Sequence, residues 1–319
     1  MPDYNVVRGR FAPSPSGRMH LGNIYCALMV WLSVRSQKGE MLLRIEDLDS
    51  LRCTLENTRI LEDDLRWLGL DWDEGGTDAH GPHAPYCQSR RYPFFEDCLA
   101  GLESLGLTYP CYCTRAESHA ASAPHLSDGS VVYGGRCRNL SEVQRAALAA
   151  KRRPATRLAV PDQAYGFTDG RCGEYSENLA QSCGDFIIRR SDGVFAYQLA
   201  VVADDIAMGV TEIVRGRDLI SSTPRQLYLY ELFEARPPWY FHIPMLNAPD
   251  GRRLSKREKD LDVGELRDRY KGPEAVVGRL AWLCGLIGAD EPVAARELVE
   301  GFDWSKITPE DIVIQPGMF

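Results

Sequence analysis

Arginine, histidine, lysine and carboxylate side chains recur in this 319-residue chain at spacings that suit the binding and activation of a charged small molecule. Near the amino terminus, Arg10-Phe-Ala-Pro-Ser-Pro-Ser-Gly-Arg-Met-His-Leu-Gly-Asn23 places His20, Gly22 and Asn23 where an apolar stretch gives way to an amphipathic one. An imidazole at a helix start can donate to an anion, the first-turn N–H groups are unpaired, and glycine lets the anion approach the backbone. Far downstream, Arg253-Leu-Ser-Lys-Arg257 supplies Ser255 and the cation Lys256 in a loop set off by Pro249-Asp-Gly251. Neither block is specific alone. Together they predict a site for the triphosphate of ATP, with His20 and Lys256 stabilising charge that rearranges during in-line attack on the α-phosphate.

A second group suits the other substrate of such a reaction. Arg10 and Arg215 each stand near a predicted strand end, and Glu46 and Tyr197 share that placement. Two guanidinium groups can clamp carboxylate oxygens, a carboxylate can hold an ammonium group, and a phenol can orient one end of the ligand. The combination fits an acidic amino acid, although each arginine taken singly is equally at home in a structural ion pair. A third group is Cys111-Tyr-Cys113 with Tyr133-Gly-Gly-Arg-Cys137. Three thiolates and one phenolate make a closed, four-coordinate structural zinc site that would staple a loop-rich segment. His119 and His125 lie near enough in sequence to replace Tyr133 as the fourth ligand. The remaining cysteines read as core thiols of a reducing compartment.

These side chains need a scaffold, and the pattern is that of an α/β protein. Residues 4–12 suit a strand that Pro13, Pro15 and Gly17 break. From Gly22, the positions Ile24, Ala27, Leu28, Trp31 and Leu32 repeat at the spacing of a one-sided helix, ending near Gly39, and Met41 to Glu46 forms a second strand. Strand, crossover helix, strand is the unit of a doubly wound parallel sheet, whose ligands bind at the carboxyl ends of the strands. Glu46, Asp47 and Asp49 fall there. Further helices are predicted over 55–69 and 91–106, and residues 107–183, with the clustered cysteines, read as an insertion. The sheet is expected to resume at Asp185–Arg190 and to continue through Val194–Asp205 and Glu212–Gly216. A helix from Arg225 to Glu234, a last strand from Phe241 to Leu246 and a helix over Val276–Leu286 complete the prediction. The expected division is therefore 1–106 and 184–262 for the two halves of the catalytic domain, 107–183 for the insertion, and 263–319 for a small helical appendage.

Composition narrows the setting. With 44% hydrophobic and 26% charged residues the chain reads as an ordinary globular protein. It shows neither a secretory signal nor a bilayer-length apolar run, so a cytoplasmic location without membrane contact is expected; the chain is also expected to act as a monomer. A formal net charge of −8 argues against chain-wide affinity for nucleic acid, so any RNA contact must be local, as at Lys151-Arg152-Arg153 or the Arg252–Arg257 cluster.

The same blocks, joined by Arg44-Ile-Glu-Asp-Leu-Asp49, Leu68-Gly-Leu-Asp-Trp-Asp-Glu74, Ile188-Arg-Arg-Ser-Asp-Gly193 and Val214-Arg-Gly-Arg-Asp218, resemble the class I aminoacyl-tRNA synthetases of the glutamate branch across most of the chain. The resemblance implies a Rossmann-type catalytic domain with a zinc-bearing insertion and one structural Zn2+. It gives Arg10, Ala12, Ser14, Glu46, Tyr197 and Arg215 to L-glutamate, and His20, Gly22, Asn23, Ser255 and Lys256 to ATP with Mg2+. Within the branch, the cysteine pattern, the run Phe195–Asp205 and the short stretch after the lysine loop point to a particular kind of member. Such members form glutamyl-adenylate and pass the glutamyl group to queuosine in the anticodon of tRNA(Asp). A separate anticodon-binding domain takes on the order of a hundred residues, more than follow the loop here. The pocket would then receive an unstacked anticodon base, the kind of target that sequence-specific RNA recognition favours. Asn23 stands where the HIGH-type signature has its second histidine and Arg253 where the KMSKS-type loop has its first lysine; both keep the donor or the charge. The interval between Cys113 and Tyr133 is longer than the family pattern. Two alternatives stay open, a truncated glutamyl-tRNA synthetase charging a tRNA 3′ end and an inactive zinc-containing RNA-binding module.

Overall fold

The strand–helix–strand unit expected at the amino terminus forms the middle of the molecule. The computed structural model describes residues 6–77, 81–114, 117, 132–252, 254 and 261–319. β1 (Arg8–Phe11) and β2 (Glu40–Leu43) pair in parallel, with Arg8 opposite Glu40 and Phe11 opposite Leu43, and α1 (Leu21–Ser36) connects them. The helix is not one-sided. Leu21, Ile24, Tyr25 and every residue from Ala27 to Val34 are buried, because α1 lies between the sheet and the carboxyl-terminal residues. α2 (Leu55–Trp67) starts at Thr54, whose side chain accepts the Asn57 N–H, and β3 (Glu74–Gly75) and α3 (Tyr92–Ser104) follow.

The next stretch builds a different sheet. β4 (Thr108–Cys111), α4 (Glu142–Ala149) and β5 (Ala155–Leu158) lead to a hairpin of β6 (Ala164–Asp169) and β7 (Gly173–Asn178), then to the short α5 (Leu179–Ser182) and β8 (Phe186–Arg189). β4, β5 and β8 are antiparallel neighbours. β8 therefore completes the inserted sheet and does not resume the parallel one, which corrects the expectation for Asp185–Arg190. The run Val194–Asp205 is also no strand. It enters α6 (Tyr197–Ala207), whose Leu199, Ala200, Val201, Val202 and Ala203 are all buried. A continuous apolar run of this length cannot be told from a buried helix by periodicity.

β9 (Glu212–Gly216), α7 (Thr223–Leu232) and β10 (Trp239–Ile243) complete the parallel sheet in the order β10-β9-β1-β2-β3. After β11 (Leu246–Asn247) come α8 (Val263–Arg269), α9 (Glu274–Leu283) and β12 (Ile312–Val313), which returns to pair in parallel with β11. This tail is not an appendage. Val276, Val277, Leu280, Ala281, Ile307, Ile312 and Phe319 share one apolar cluster with α1. Among the described residues no helix is long and apolar enough to cross a membrane.

Candidate active site

The carboxyl ends of β1, β2, β9 and β10 open on a cleft of about 510 Å³. Arg10, Ala12, Ser14, His20, Gly22, Asn23, Glu46, Tyr197 and Arg215 all line it, as does Leu254 from the lysine loop. Arg253, Ser255, Lys256 and Arg257 lie outside the described residues. Residues 10 and 254 thus reach one cavity because the parallel sheet brings every βα turn to the same edge.

His20 caps α1. Its extended backbone turns the ring over the first helical turn, where Nδ1 accepts the Gly22 N–H at 3.0 Å. The proton of the neutral ring is therefore on Nε2. Asn23 Oδ1 accepts the His20 N–H at 3.3 Å, closing a capping box. The asparagine that replaces the second histidine of the signature thus fixes the helix start. A Cβ at Gly22 would lie 3.0 Å from His20 Cε1, so glycine keeps the ring seated.

Two arginines stand deeper. Arg10 Nε donates to Asp205 Oδ1 at 3.2 Å, and Arg44 reaches the same oxygen at 2.5 Å and Glu46 Oε1 at 3.1 Å. Asp204, next along α6, accepts from Arg91 Nε at 2.6 Å and from Gln88 Nε2 at 2.9 Å. All of these side chains are buried. Burial opposes charge on Arg10 and Arg44, yet the facing carboxylates, Asp205 first, outweigh it and raise both values. For Glu46 the balance goes the other way. Burial pushes its carboxyl up, and the pull of Arg44 and Arg10 offsets only part of the shift. Tyr197, 37% exposed, opens α6 at the mouth of the cleft, in the field of Arg215, Glu46 and Arg10.

Arg215, at the end of β9, is 4% exposed. Its Nε faces His242 Nε2 at 3.0 Å and its Nη2 donates to Thr223 Oγ1 at 2.7 Å. Nη1 is buried without a hydrogen-bond partner among the described residues. A buried guanidinium nitrogen with no acceptor is costly, and an anionic ligand in the cleft would satisfy it.

The cysteine group assembles at the start of the inserted sheet. The sulfur atoms of Cys111, Cys113 and Cys137 all lie within 4.8 Å of one another. Tyr133 Oη is 3.5 Å from Cys111 Sγ and 3.7 Å from Cys113 Sγ, and it accepts the Cys137 N–H at 3.0 Å. Arg157 donates to Cys111 Sγ at 3.2 Å while its guanidinium lies 3.6 Å from the centre of the Tyr133 ring. Burial pushes the Cys111 thiol up, but the hydrogen bonds with Tyr133 and Arg157 outweigh it and the net shift is down. Ligands about 2.3 Å from a tetrahedral ion are about 3.8 Å apart, close to the 3.6 Å between Cys113 and Cys137. The donor set fits zinc. His119 and His125 lie outside the described residues.

Known proteins agree with this layout. The catalytic-domain model of the class I tRNA synthetases of the E and Q type matches residues 6–311. The chain belongs to that family. It is a ligase of the aminoacyl-tRNA synthetase type. The glutamyl-Q tRNA(Asp) synthetase of Symbiobacterium thermophilum is 47% identical over 312 residues, 97% of this chain and 96% of that one. The protein of the same name from Nitratidesulfovibrio vulgaris is 49% identical over 297 residues, 92% of this chain and 91% of that one. A crystal structure of glutamate-tRNA synthetase from Elizabethkingia anophelis superposes with a TM-score of 0.84 at 26% identity, covering 98% of this chain and 69% of that one.

Some residues that shape this synthetase site escaped the sequence argument. Arg44 was visible as the same-face neighbour of Glu46 on an alternating strand, and Asp204-Asp205 as paired acids in an apolar run, but neither pattern says which partner is met. His242 and Asp169, 73 positions apart, carry no local signal.

Proposed function

We propose that this synthetase activates L-glutamate with ATP and Mg2+ and transfers the glutamyl group to queuosine in the anticodon of tRNA(Asp). The observation that carries the proposal is the unpartnered Nη1 of Arg215 in a cleft that also holds Arg10, Glu46 and the His20 helix start. In this account Arg10 and Arg215 hold the carboxylates of glutamate and Glu46 its ammonium group, while Tyr197, Ala12 and Ser14 shape the entrance. A carboxylate oxygen of glutamate attacks the α-phosphorus of ATP, the bond to the β-phosphate breaks, and pyrophosphate leaves with the electron pair. His20 Nε2–H, the first-turn N–H groups of α1 beside Gly22 and Asn23, and the loop residues Ser255 and Lys256 stabilise the charge on the phosphates. In the second step a ring hydroxyl of queuosine attacks the activated carbonyl, the bond from that carbon to the phosphate oxygen breaks, and AMP departs with the electron pair while the hydroxyl proton passes to a phosphate oxygen or to water. The names of the relatives in Symbiobacterium thermophilum and Nitratidesulfovibrio vulgaris support this acceptor.

Cys111, Cys113, Tyr133 and Cys137 would hold one structural Zn2+. Burial pushes the Tyr133 phenol far up, so metal binding there must release a proton. The ion would clamp the end of β4 to the 133–137 turn and takes no part in the transfer.

The test compares acceptors. Glutamate should be transferred to tRNA(Asp) bearing queuosine, and neither to the same tRNA without it nor to tRNA(Glu). Likeness to glutamate-tRNA synthetase structures supports a second reading, in which the acceptor is a tRNA 3′ end. Charging of tRNA(Glu), or transfer indifferent to queuosine, would establish that reading in place of the first. Absence of glutamate-dependent pyrophosphate exchange into ATP would leave only an RNA-binding module.

A further inference from the structure

The β6–β7 hairpin belongs to the segment between the two halves of the parallel sheet, yet its tip sits beneath the cleft. Asp169 Oδ1 accepts the backbone N–H groups of Arg171 at 2.9 Å, Cys172 at 2.8 Å and His242 at 3.2 Å. Asp169 Oδ2 lies 2.6 Å from His242 Nδ1, and His242 Nε2 lies 3.0 Å from Arg215 Nε. Gly170 donates to Tyr240 O at 2.8 Å, and a Cβ there would come within 2.1 Å of the Phe241 ring, so the tip is seated tightly on β10. Asp169, His242 and Arg215 are all buried.

A guanidinium only donates, so His242 Nε2 must accept, and the single proton of the neutral ring must point from Nδ1 to Asp169. We propose that Asp169 and His242 are positioning residues for glutamate: the hairpin carboxylate fixes the tautomer of His242, and that tautomer holds Arg215 so that Nη1 is the nitrogen left for the substrate. The inference rests on the assignment of Arg215 to a glutamate carboxylate made above. Burial, reinforced by Arg215, moves the His242 pKa down against the opposing pull of Asp169 and Asp218, which keeps the ring neutral. Thr223 Oγ1, on the other side, takes Nη2. Two of the three guanidinium nitrogens are thereby committed to protein acceptors. The inserted segment thus reaches the amino-acid site through the Asp169 carboxylate, while none of its described residues lines the cleft.

Asp169→Asn tests this directly. Three backbone N–H groups hold the oxygen of the new amide, which turns its NH2 toward His242 Nδ1. The ring must then accept at Nδ1 and carry its proton on Nε2, placing donor against donor at Arg215. In glutamate-dependent pyrophosphate exchange the KM for glutamate should rise about tenfold or more, with the KM for ATP within about twofold of wild type. His242→Leu should do the same, and His242→Gln, whose amide oxygen can stand in for Nε2 without a tautomer to set, should lose markedly less. Adding Asp169→Asn to His242→Gln should cost little further, since there is no ring left to invert. An equal cost of Asp169→Asn in both backgrounds would mean a purely structural hairpin and would overturn the proposal. If Asp169→Asn does not fold by circular dichroism, the His242→Leu and His242→Gln pair decides, and equal KM values for glutamate overturn it. Arg215→Ala separates the two levels. An unchanged KM for glutamate there defeats the assignment of Arg215, whereas a large rise beside a silent Asp169→Asn defeats the relay alone.

Discussion

Around the cleft, Arg10, Arg44, Asp204, Asp205 and Glu46 are buried and each guanidinium faces a carboxylate; at the base of the inserted sheet the buried group is Tyr109, Cys111, Tyr133, Cys137 and Ala159. The first set sits within extensive apolar packing, where α1 and α6 contribute some of the most deeply buried side chains of the chain. There, packing supplies the stability and the ion pairs fix the side chains that face the cleft. β5 and β8 join the α6 cluster through Leu158, Phe186 and Ile188, but the end of β4 and the 133–137 turn have only the second set of five residues, too few to offset the conformational entropy of ordering those loops. A bound ion would supply what the small core lacks, and the thiols, the phenol and Arg157 are arranged accordingly. In the proposed function one region thus spends its polar residues on substrate, the other on holding itself together.

Metal removal should separate the two most strongly. A structural zinc contributes on the order of 10 kcal/mol of binding free energy, so a chelator, or Cys113→Ser, should abolish hydrogen-exchange protection at the end of β4 and in the 133–137 turn while β1, β2 and β9 keep theirs. Metal analysis of the purified protein should find about one zinc per chain. Protection that is unchanged in both sheets would erase the contrast.

Asp205→Ala attacks the other side of the comparison. It leaves Arg10 and Arg44 buried with their shared acceptor gone, and stranding a buried charge costs about 3–5 kcal/mol. Urea unfolding should show that loss with the zinc content intact. A loss below about 1 kcal/mol would match an exposed pair and would mean that water screens these charges.

The contrast also explains what the sequence reveals. Side chains at strand ends and βα turns were legible because a parallel sheet delivers them to one edge whatever the spacing along the chain, which is how Arg10, Glu46, His20 and Arg215 could be placed together. The helix starts near Gly22 and residue 55 are local too, and the structure shows what fixes them, His20 with Asn23 and Thr54 with Asn57. Antiparallel pairing has no such convergence. β8 pairs with β5 some 30 positions earlier, and nothing within Phe186–Arg189 distinguishes that partner from a parallel one. The run at Val201 failed for a related reason, since burial on all sides removes the polar face that would mark a helix. The Asp169–His242 contact depends on two sheets meeting, and no period in either segment encodes it.

The smallest expected effect is also the most specific to the chemistry. Burial raises the Glu46 carboxyl, and the Arg44 contact at 3.1 Å and the charge of Arg10 pull it only part of the way back. An ordinary glutamate titrates near a pKa of about 4.3, so Glu46 takes up its proton at a pH where exposed carboxylates remain ionised. In the proposed function the ionised form holds the ammonium group of glutamate, and a proton competes with it. Affinity for glutamate is therefore full above the raised pKa and falls as pH drops through it, approaching tenfold per pH unit. The KM for glutamate in pyrophosphate exchange should rise on the acid side accordingly, while the KM for ATP follows a different profile. Glu46→Gln keeps the shape and removes the charge. It should weaken glutamate binding at neutral pH by about 1.5–3 kcal/mol, the worth of a hydrogen bond to a charged group, and flatten the acid limb. A limb that survives the substitution belongs to another group and would take the ammonium away from Glu46, leaving Arg10 and Arg215 to carry the recognition of glutamate that sets the cleft apart from the self-contained cysteine cluster.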